Sequence, residues 1–222
     1  MTQESGPSTS LPDIRLRPER RSARVRAEIL GATERLLASD QLHQISVEHI
    51  SREAGVSRPT FYSYFASKLE IVLELYGLAA AETYTAVSPM WKRPATQSPA
   101  DAVRMGIGNL VRAWVPHRAV FHAAIEHRYS APEMMAKSQE TIAYFVRNIS
   151  AQLEADRSAG IAPRGAAAEP LVTTLVWSTE HALYIASRGL SPGLPDVQAA
   201  IEPLEAMWLG ALYRDAPDSS TF

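Results

Sequence analysis

The 222-residue chain contains no cysteine. That absence excludes disulfide bonds and thiolate chemistry, and it is typical of a chain that works in a reducing cytoplasm. A signal peptide is not indicated, because the N-terminal stretch MTQESGPSTSLPD has neither a basic start nor an apolar run. No apolar segment approaches the roughly 20 residues that span a bilayer. These absences predict a cytoplasmic protein without a membrane partner.

Signatures of nucleotide binding are missing as well. The chain has no G-x-x-x-x-G-K loop, and Gly106 and Gly108 begin only a fragment of a dinucleotide-binding motif. Val111 stands where the last glycine of that motif would be, and no strand pattern precedes it. We therefore predict no cofactor.

The histidines do not form a metal-binding pattern. His117, His122 and His127 follow one another at steps of five residues, and each step turns a helix by about 140°. Their imidazoles therefore do not converge on one ion. No grouping of serine, histidine and aspartate can be assigned to a triad either. We predict no metal ligands and no catalytic residues.

Helical periodicity is what the chain contains in abundance. Apolar residues recur at helical spacing between the proline and glycine breaks, and no segment alternates in the manner of a strand. Ile142, Val146, Ile149 and Leu153 are one such stripe. The chain is therefore predicted to be all-α with about nine helices, two of which occupy residues 100–115 and 116–129.

A helix, a glycine turn and a second short helix are predicted over residues 46–64. Ser46 and Ser57 are good N-caps, Gly55 tolerates a positive φ, and Pro59 suits the first turn of a helix. This order is a helix-turn-helix, whose second helix enters the major groove of DNA.

Four aromatic residues crowd the end of this unit. Phe61 and Phe65 share one helix face at i, i+4, and we predict that they pack inside. Tyr62 and Tyr64 are predicted to turn their hydroxyls outward, where a phenol can donate to a phosphate.

Charge is unevenly distributed although the net charge is only −2. Residues 14–68 carry 10 basic and 6 acidic side chains, whereas residues 69–222 carry 12 basic and 16 acidic ones. Six arginines fall within RLRPERRSARVR at 15–26. That segment is either a solvated lead-in to a helix or an arm that contacts nucleic acid. The split predicts a head that meets an anion and a body that does not.

The stretch GVSRPTFYSYFASK, residues 55–68, resembles the DNA-binding signature of TetR-family transcriptional regulators. The shared features are a Gly-Val turn, a threonine, a tyrosine, a phenylalanine and a Ser-Lys pair that opens helix four, and the likeness covers residues 24–73. Within that family the chain is most similar to the ethionamide-response repressors of mycobacteria. A weaker likeness continues through HRAVFHA at 117–123 and DRSAGIAPR at 156–164.

This resemblance implies which side chains contact DNA. The predicted phosphate contacts are Thr60, Tyr62, Tyr64 and Lys68, and the predicted base contacts are Ser57, Arg58 and Ser63. Arg58 suits guanine, because its planar fork matches O6 and N7. Two positions depart from the pattern. Glu48 stands where some relatives have a base-reading arginine, and Tyr64 stands where histidine is common.

The body has apolar stripes whose purpose spacing alone does not decide. Val103, Ile107, Leu110 and Trp114 recur at i, i+4, i+7 and i+11, which fits a continuous core as well as the wall of a cavity. The resemblance implies an effector pocket among these helices. We predict that it is lined by Val103, Ile107, Leu110, Trp114, Phe145, Asn148, Thr179 and Tyr184.

Further features of the body follow from the same resemblance. It implies a homodimer joined through the helices at about 167–187 and 203–213. The most similar repressors place asparagines at the positions of Val176 and Thr179, so only Thr179 keeps a polar group there. Pro203 also departs from the pattern, and we expect it to kink the last helix or delay its start.

The sequence therefore predicts a TetR-type transcriptional repressor that binds a palindromic double-stranded DNA operator as a homodimer and is released by a small apolar ligand. The predicted domains are a disordered basic arm (1–20), a helix-turn-helix domain (21–68), a helical ligand-binding and dimerisation domain (69–214), and a disordered tail (215–222). The alternatives are a helical small-molecule-binding protein or an enzyme, neither with DNA-binding activity.

Overall fold

The computed structural model describes residues 16–213, with side chains from Arg20 onward. This part of the chain forms eight α-helices and no β-strand. The predicted all-α class is confirmed, with eight helices where about nine were expected. The elements are α1 (Leu16–Leu37), α2 (Val47–Glu53), α3 (Arg58–Tyr64), α4 (Lys68–Val87), a 3-10 helix (Ser88–Met90), α5 (Pro99–His127), α6 (Pro132–Ser158), α7 (Ala168–Ser187) and α8 (Ile201–Leu212).

The chain divides into two compact units after Lys68. The first, called the head below, ends with α3 and the first residue of α4. The largest side chains of its core are at most 1% exposed, namely Ile29, Ile45, Ile50, Phe61 and Phe65. The second unit, called the body, contains the rest of α4 and the helices that follow it. The predicted tail at 215–222 and most of the predicted arm lie outside the described residues.

Local signals of the helix-turn-helix are confirmed. The Ser46 hydroxyl accepts a hydrogen bond from the His49 amide at 3.0 Å, and the Ser57 hydroxyl accepts one from the Thr60 amide at 3.2 Å. Each bond satisfies an amide that the first turn of a helix leaves without a partner. Gly55 has a φ of 67°, a conformation that costs other residues about 1–2 kcal/mol.

The first helix begins earlier than expected. The apolar pattern predicted a start near Ser22, whereas α1 starts at Leu16. Pro18 falls within the first turn, where its missing amide has no intrahelical partner to lose. Residues 16–20, which the sequence pattern assigned to the arm, are therefore helical.

One helix of the body replaces two predicted ones. Pro116 was expected to begin a new helix, but α5 runs through it without a break. Its ring removes one backbone hydrogen bond, to the carbonyl four residues earlier. Trp114 and Phe121, on either side of it, stack with centroids 4.4 Å apart and planes 16° apart. This contact and the burial of both rings hold the two halves of α5 together.

The last helix also differs from expectation. Pro203 was predicted to kink α8 or delay its start, but α8 begins two residues before it, at Ile201. The first three amides of a helix have no intrahelical acceptor, so a proline at the third position removes no bond. The departure at Pro203 is therefore structurally neutral.

A buried ion pair ties distant segments of the body. The Arg93 guanidinium donates to both oxygens of Asp156, at 2.8 and 2.6 Å, and the two side chains are 8% and 3% exposed. Gln152 donates to the same carboxylate at 2.9 Å, and the Tyr213 hydroxyl does so at 2.8 Å. One carboxylate thus joins α6 to the segment before α5 and to the end of α8.

Candidate DNA-binding surface and ligand cavity

The exposed side of α3 carries most of the predicted DNA contacts. Ser57, Arg58 and Ser63 are exposed, and Tyr62 keeps 49% of its surface open. Arg58 and Tyr62 are four residues apart, so they share one face of the helix. Phe61 and Phe65 are buried, as predicted, with rings 6.3 Å apart. Arg58 and Tyr62 therefore face solvent, while Phe61 and Phe65 anchor α3 in the core of the head.

The small hydroxyls of α3 are held in place by local bonds. The Ser57 and Thr60 hydroxyls lie 2.8 Å apart, and the Ser63 hydroxyl donates to the Thr60 carbonyl at 2.6 Å. Thr60 and Tyr64 are half-buried. These bonds fix the conformation at the start of α3 in the free protein, which lowers the entropic cost of binding DNA.

Lys68 does more than the sequence suggested. Its ammonium donates to the carbonyls of Leu42 and Ile45, at 2.6 and 2.8 Å, and so fastens the α1–α2 connection to the start of α4. Burial lowers the pKa of this lysine. Two of its three protons are engaged, which leaves one for a phosphate. The structural bonds between Lys68 and these carbonyls have no short-range sequence signal, since they span 23 and 26 residues.

A cavity of about 90 Å³ lies within the body. Five of the predicted residues line it, namely Ile107, Leu110, Trp114, Phe145 and Thr179. Val103, Asn148 and Tyr184 do not. The Asn148 amide instead donates to the Tyr144 carbonyl of its own helix at 2.8 Å, and the Tyr184 hydroxyl donates to Glu126 at 3.3 Å.

Sequence reasoning missed a whole wall of the cavity. Helix α4 contributes Tyr76, Ala80, Thr83 and Val87, which recur at i, i+4, i+7 and i+11. This is the spacing that identified the α5 stripe, so the same criterion applied to α4 would have found them. Trp208 of α8 and Glu180 of α7 also face the cavity.

Thr179 and Glu180, two polar side chains of the cavity, already have hydrogen-bond partners. Thr179 donates to the Leu175 carbonyl at 2.7 Å and accepts from the Trp208 indole at 2.8 Å. One lone pair of its oxygen remains, so Thr179 can accept a bond from a ligand but not donate one. Glu180 receives two bonds from Arg128, at 2.7 and 2.5 Å. Burial and the charge of Glu180 raise the pKa of Tyr76.

The two remaining motifs of the body have structural explanations. Gly106 lies inside α5, where a β-carbon would collide with the Met90 side chain, so this glycine permits close packing. The three histidines of α5 have separate partners, which are Glu82 for His117, Ser187 for His122 and the Ala123 carbonyl for His127. Within residues 16–213 no group of acidic and histidine side chains could hold a metal ion.

A serine–histidine contact within the body has the wrong electrostatics for a general base. The Ser187 hydroxyl lies 2.6 Å from His122 Nε2. Burial, reinforced by the charges of Arg188 and Arg118, lowers the pKa of His122 to about 4. An efficient base has a pKa near the working pH, so this imidazole is a weak one. Ser187 also accepts a bond from the Trp114 indole at 3.4 Å, which positions a wall of the cavity.

Comparisons with known proteins agree for both units. The family model "Bacterial regulatory proteins, tetR family" matches residues 29–75, and "Transcriptional regulator EthR, C-terminal domain" matches residues 103–214. The HTH-type transcriptional regulator EthR of Mycobacterium tuberculosis (H37Rv) is 29% identical over 218 residues, which cover 96% of this chain and 98% of that one. EthR of Mycolicibacterium smegmatis is 31% identical over 213 residues, which cover 89% and 93%.

Solved structures share the fold at lower identity. A putative transcriptional regulator from Saccharomonospora viridis, determined with choline, superposes with a TM-score of 0.68 at 18% identity, covering 86% of this chain and 98% of that one. Salmonella enterica GusR gives 0.67 at 18% identity, with coverage of 85% and 95%. Over the described residues, none of the helices is long and apolar enough to cross a membrane. The chain belongs to the TetR family of bacterial transcriptional regulators, with a C-terminal domain of the EthR type, and is a DNA-binding regulator and not an enzyme.

Proposed function

We propose that this regulator is a cytoplasmic repressor that binds a palindromic operator as a homodimer and leaves it when a small apolar effector enters the body cavity. The observation that carries the proposal is the cavity itself, because α4 forms one of its walls. In the chain, α4 follows directly after α3, the second helix of the helix-turn-helix. A ligand that displaces α4 therefore moves the element to which the head is covalently joined.

The cavity suits an apolar effector. Its wall combines aromatic and aliphatic side chains with few polar atoms, which is the usual composition of a small-molecule site. Thr179 offers an acceptor, as does the carboxylate of Glu180, whose oxygens have further lone pairs. An effector with one hydroxyl or amide N–H donor fits these groups. Asn148 is not among them.

Release from DNA requires that the effector bind the two states of the protein unequally. A coupling of about 1–3 kcal/mol, or roughly 5- to 150-fold, is typical. Since binding free energies are reciprocal, the operator must weaken effector binding by the same factor. The experiment that tests the proposal is thus a paired titration, of operator with and without effector and of effector with and without operator.

Replacing Arg58 by alanine should relax the choice of base at one position of each half-site. Loss of a bidentate contact to guanine costs about 1–3 kcal/mol at that base pair and little at the others. Fluorescence anisotropy with a set of single-base operator variants measures this. A Tyr62→Phe variant, which removes only a hydroxyl, should weaken all sequences alike. Equal losses of specific and nonspecific affinity in Arg58→Ala would contradict the base-reading role.

The proposed dimer uses α7 and α8, and α8 offers a sharp test. Leu209 is half-buried in the single chain, and an arginine there would place an unpaired charge in the interface. Leu209→Arg should shift the mass in light scattering from dimer to monomer. Ile161→Arg, at a position 40% exposed in the α6–α7 connection, is the control and should remain dimeric. A dimer mass for Leu209→Arg would remove this face from the interface.

A further inference from the structure

A second hollow lies against the cavity. It is a groove of about 380 Å³ between α4 and α6, open to solvent at the exposed residues Ala81 and Glu140. Ala80, Thr141 and Phe145 line both the groove and the cavity, so one layer of side chains separates the two. The backbones of α4 and α6 come close at far fewer positions than those of α6 and α7. The partition therefore consists of side chains and not of backbone.

The volumes of the cavity and the groove indicate that the layer of side chains between them opens. The cavity of about 90 Å³ is smaller than the roughly 300–1,000 Å³ of most small-molecule sites. The groove and the cavity joined together fall within that range. Phe145 is the largest side chain of the shared layer and is only half-buried. A change of its rotamer would connect the two hollows, and rotamer changes of exposed side chains occur within picoseconds to nanoseconds.

Aromatic rings continue from Phe145 towards the solvent. Its ring centroid is 5.8 Å from that of Tyr84 and 6.3 Å from that of Trp91, and Tyr84 lies 4.2 Å from Tyr144. Tyr144 is 43% exposed. These rings form an apolar path with polar hydroxyls at its outer end, which suits a ligand that is apolar along most of its length.

The outer end of the path is cationic. The Arg147 guanidinium lies 5.7 Å from the Tyr144 ring centre, and no carboxylate of the described chain forms an ion pair with it. Lys92 is exposed, and its positive charge also acts on the Tyr144 phenol. Hydrogen bonding to Tyr84 raises the pKa of Tyr144, and the charges of Lys92 and Arg147 oppose that rise. The groove's own acid, Glu140, is already paired with Lys137 at 2.8 Å.

We propose that the α4–α6 groove is the entry vestibule of the cavity and that its ligand is an amphipathic anion. An apolar chain would pass Phe145 into the cavity, while a carboxylate stays at the groove mouth against Arg147. The inference rests on the proposed effector function for its regulatory meaning, and on the two adjoining hollows and their charge for the binding itself.

The ligand class is tested with two probes of equal length, decanoate and decanol, below their micelle-forming concentrations. Trp114 and Trp208 line the cavity, so a change in tryptophan fluorescence reports entry, and calorimetry gives the affinity. Arg147→Gln should weaken decanoate about three- to tenfold at low salt and leave decanol unchanged. Arg112→Gln, an exposed position of α5 that lines neither hollow, is the control. Equal affinities of wild type and Arg147→Gln for decanoate would overturn the carboxylate site.

The route is tested by closing the groove. Ala81→Trp should fill its mouth and slow the association of both probes about tenfold or more in stopped-flow fluorescence. Leu78→Trp, which lies on α4 with 53% exposure but outside the groove, should not. Phe145→Ala should accelerate entry. Both exposed variants can be checked for folding by thermal melting. Unchanged association rates in Ala81→Trp would exclude the groove as the entrance.

The outcomes separate this inference from the proposed function. If decanoate binds as expected and operator affinity stays the same, the vestibule stands and the effector role of the cavity fails. If neither probe binds, the ligand class proposed here is wrong. Operator release by a different apolar compound, with kinetics that Ala81→Trp leaves unchanged, would uphold the proposed function and overturn the vestibule.

Discussion

Replacing Asp156 by alanine should lower the free energy of unfolding by about 3–5 kcal/mol. The change leaves Arg93 buried, at 8% side-chain exposure, without its carboxylate, and it removes the acceptor of the Tyr213 hydroxyl. A buried charge without a partner is among the few single changes that cost this much. Urea denaturation followed by circular dichroism measures the loss.

Glu154→Ala is the matched control for this variant. Glu154 lies two residues earlier on α6 and pairs with Arg157 at 3.0 Å, but its side chain is 58% exposed. Exposed pairs contribute about 0–1 kcal/mol, so this variant should resemble wild type. Similar small losses in both variants would mean that the Arg93–Asp156 pair does not hold the body together.

Acid should remove the difference between wild type and Asp156→Ala. Burial alone would raise the pKa of Asp156, but hydrogen bonds from Arg93, Tyr213 and Gln152 outweigh it and hold the pKa below its ordinary value. A depressed folded-state pKa stabilises the protein above the unfolded value, near pH 4, and the stabilisation is lost as the pH falls through the folded one. The two unfolding free energies should therefore converge in acid.

Replacing Leu110 by tryptophan should imitate the effector. Leu110 lines the cavity of about 90 Å³, and the larger indole would occupy much of that space. If effector binding releases the operator, this variant should bind operator about 5- to 150-fold more weakly without any ligand. Anisotropy of labelled operator measures the change.

A control and a melt distinguish that result from simple damage. Met105→Trp adds an indole to the same helix at a position 41% exposed and should keep both stability and operator affinity. If Leu110→Trp instead overpacks a solid core, it should lose about 1–3 kcal/mol of stability. A large drop in melting temperature, together with no thermal shift of wild type by any apolar compound, would make the body a dimerisation scaffold only.

Local chemistry explains why the caps and the turn of the helix-turn-helix were predicted residue by residue. The roles of helix caps, of a glycine with positive φ and of a proline in a first turn depend on neighbours within four residues. Ser46, Gly55, Ser57 and Pro59 can therefore be recognised from the sequence. The bonds of Lys68 to Leu42 and Ile45 escape such reading, because they span more than 20 residues.

Tertiary packing accounts for the corrections in the body. Pro116 breaks a helix by the local rule, yet Trp114 and Phe121 bury a stacked pair across it and keep α5 whole. Asn148 and Tyr184 lie on the predicted helices, but their rotation about the helix axis turns them away from the cavity. Which face of an amphipathic helix meets a cavity depends on its partners, and periodicity alone does not identify them.

The central claim is that one chain couples an operator to a ligand in the body. The most direct measurement is the affinity of the purified protein for duplex DNA from upstream of its own gene, by anisotropy, with and without a compound that raises its melting temperature but not that of Leu110→Trp. The account predicts that the compound weakens operator binding, and that the operator weakens compound binding by the same factor. Tight binding of both with no mutual effect would contradict it.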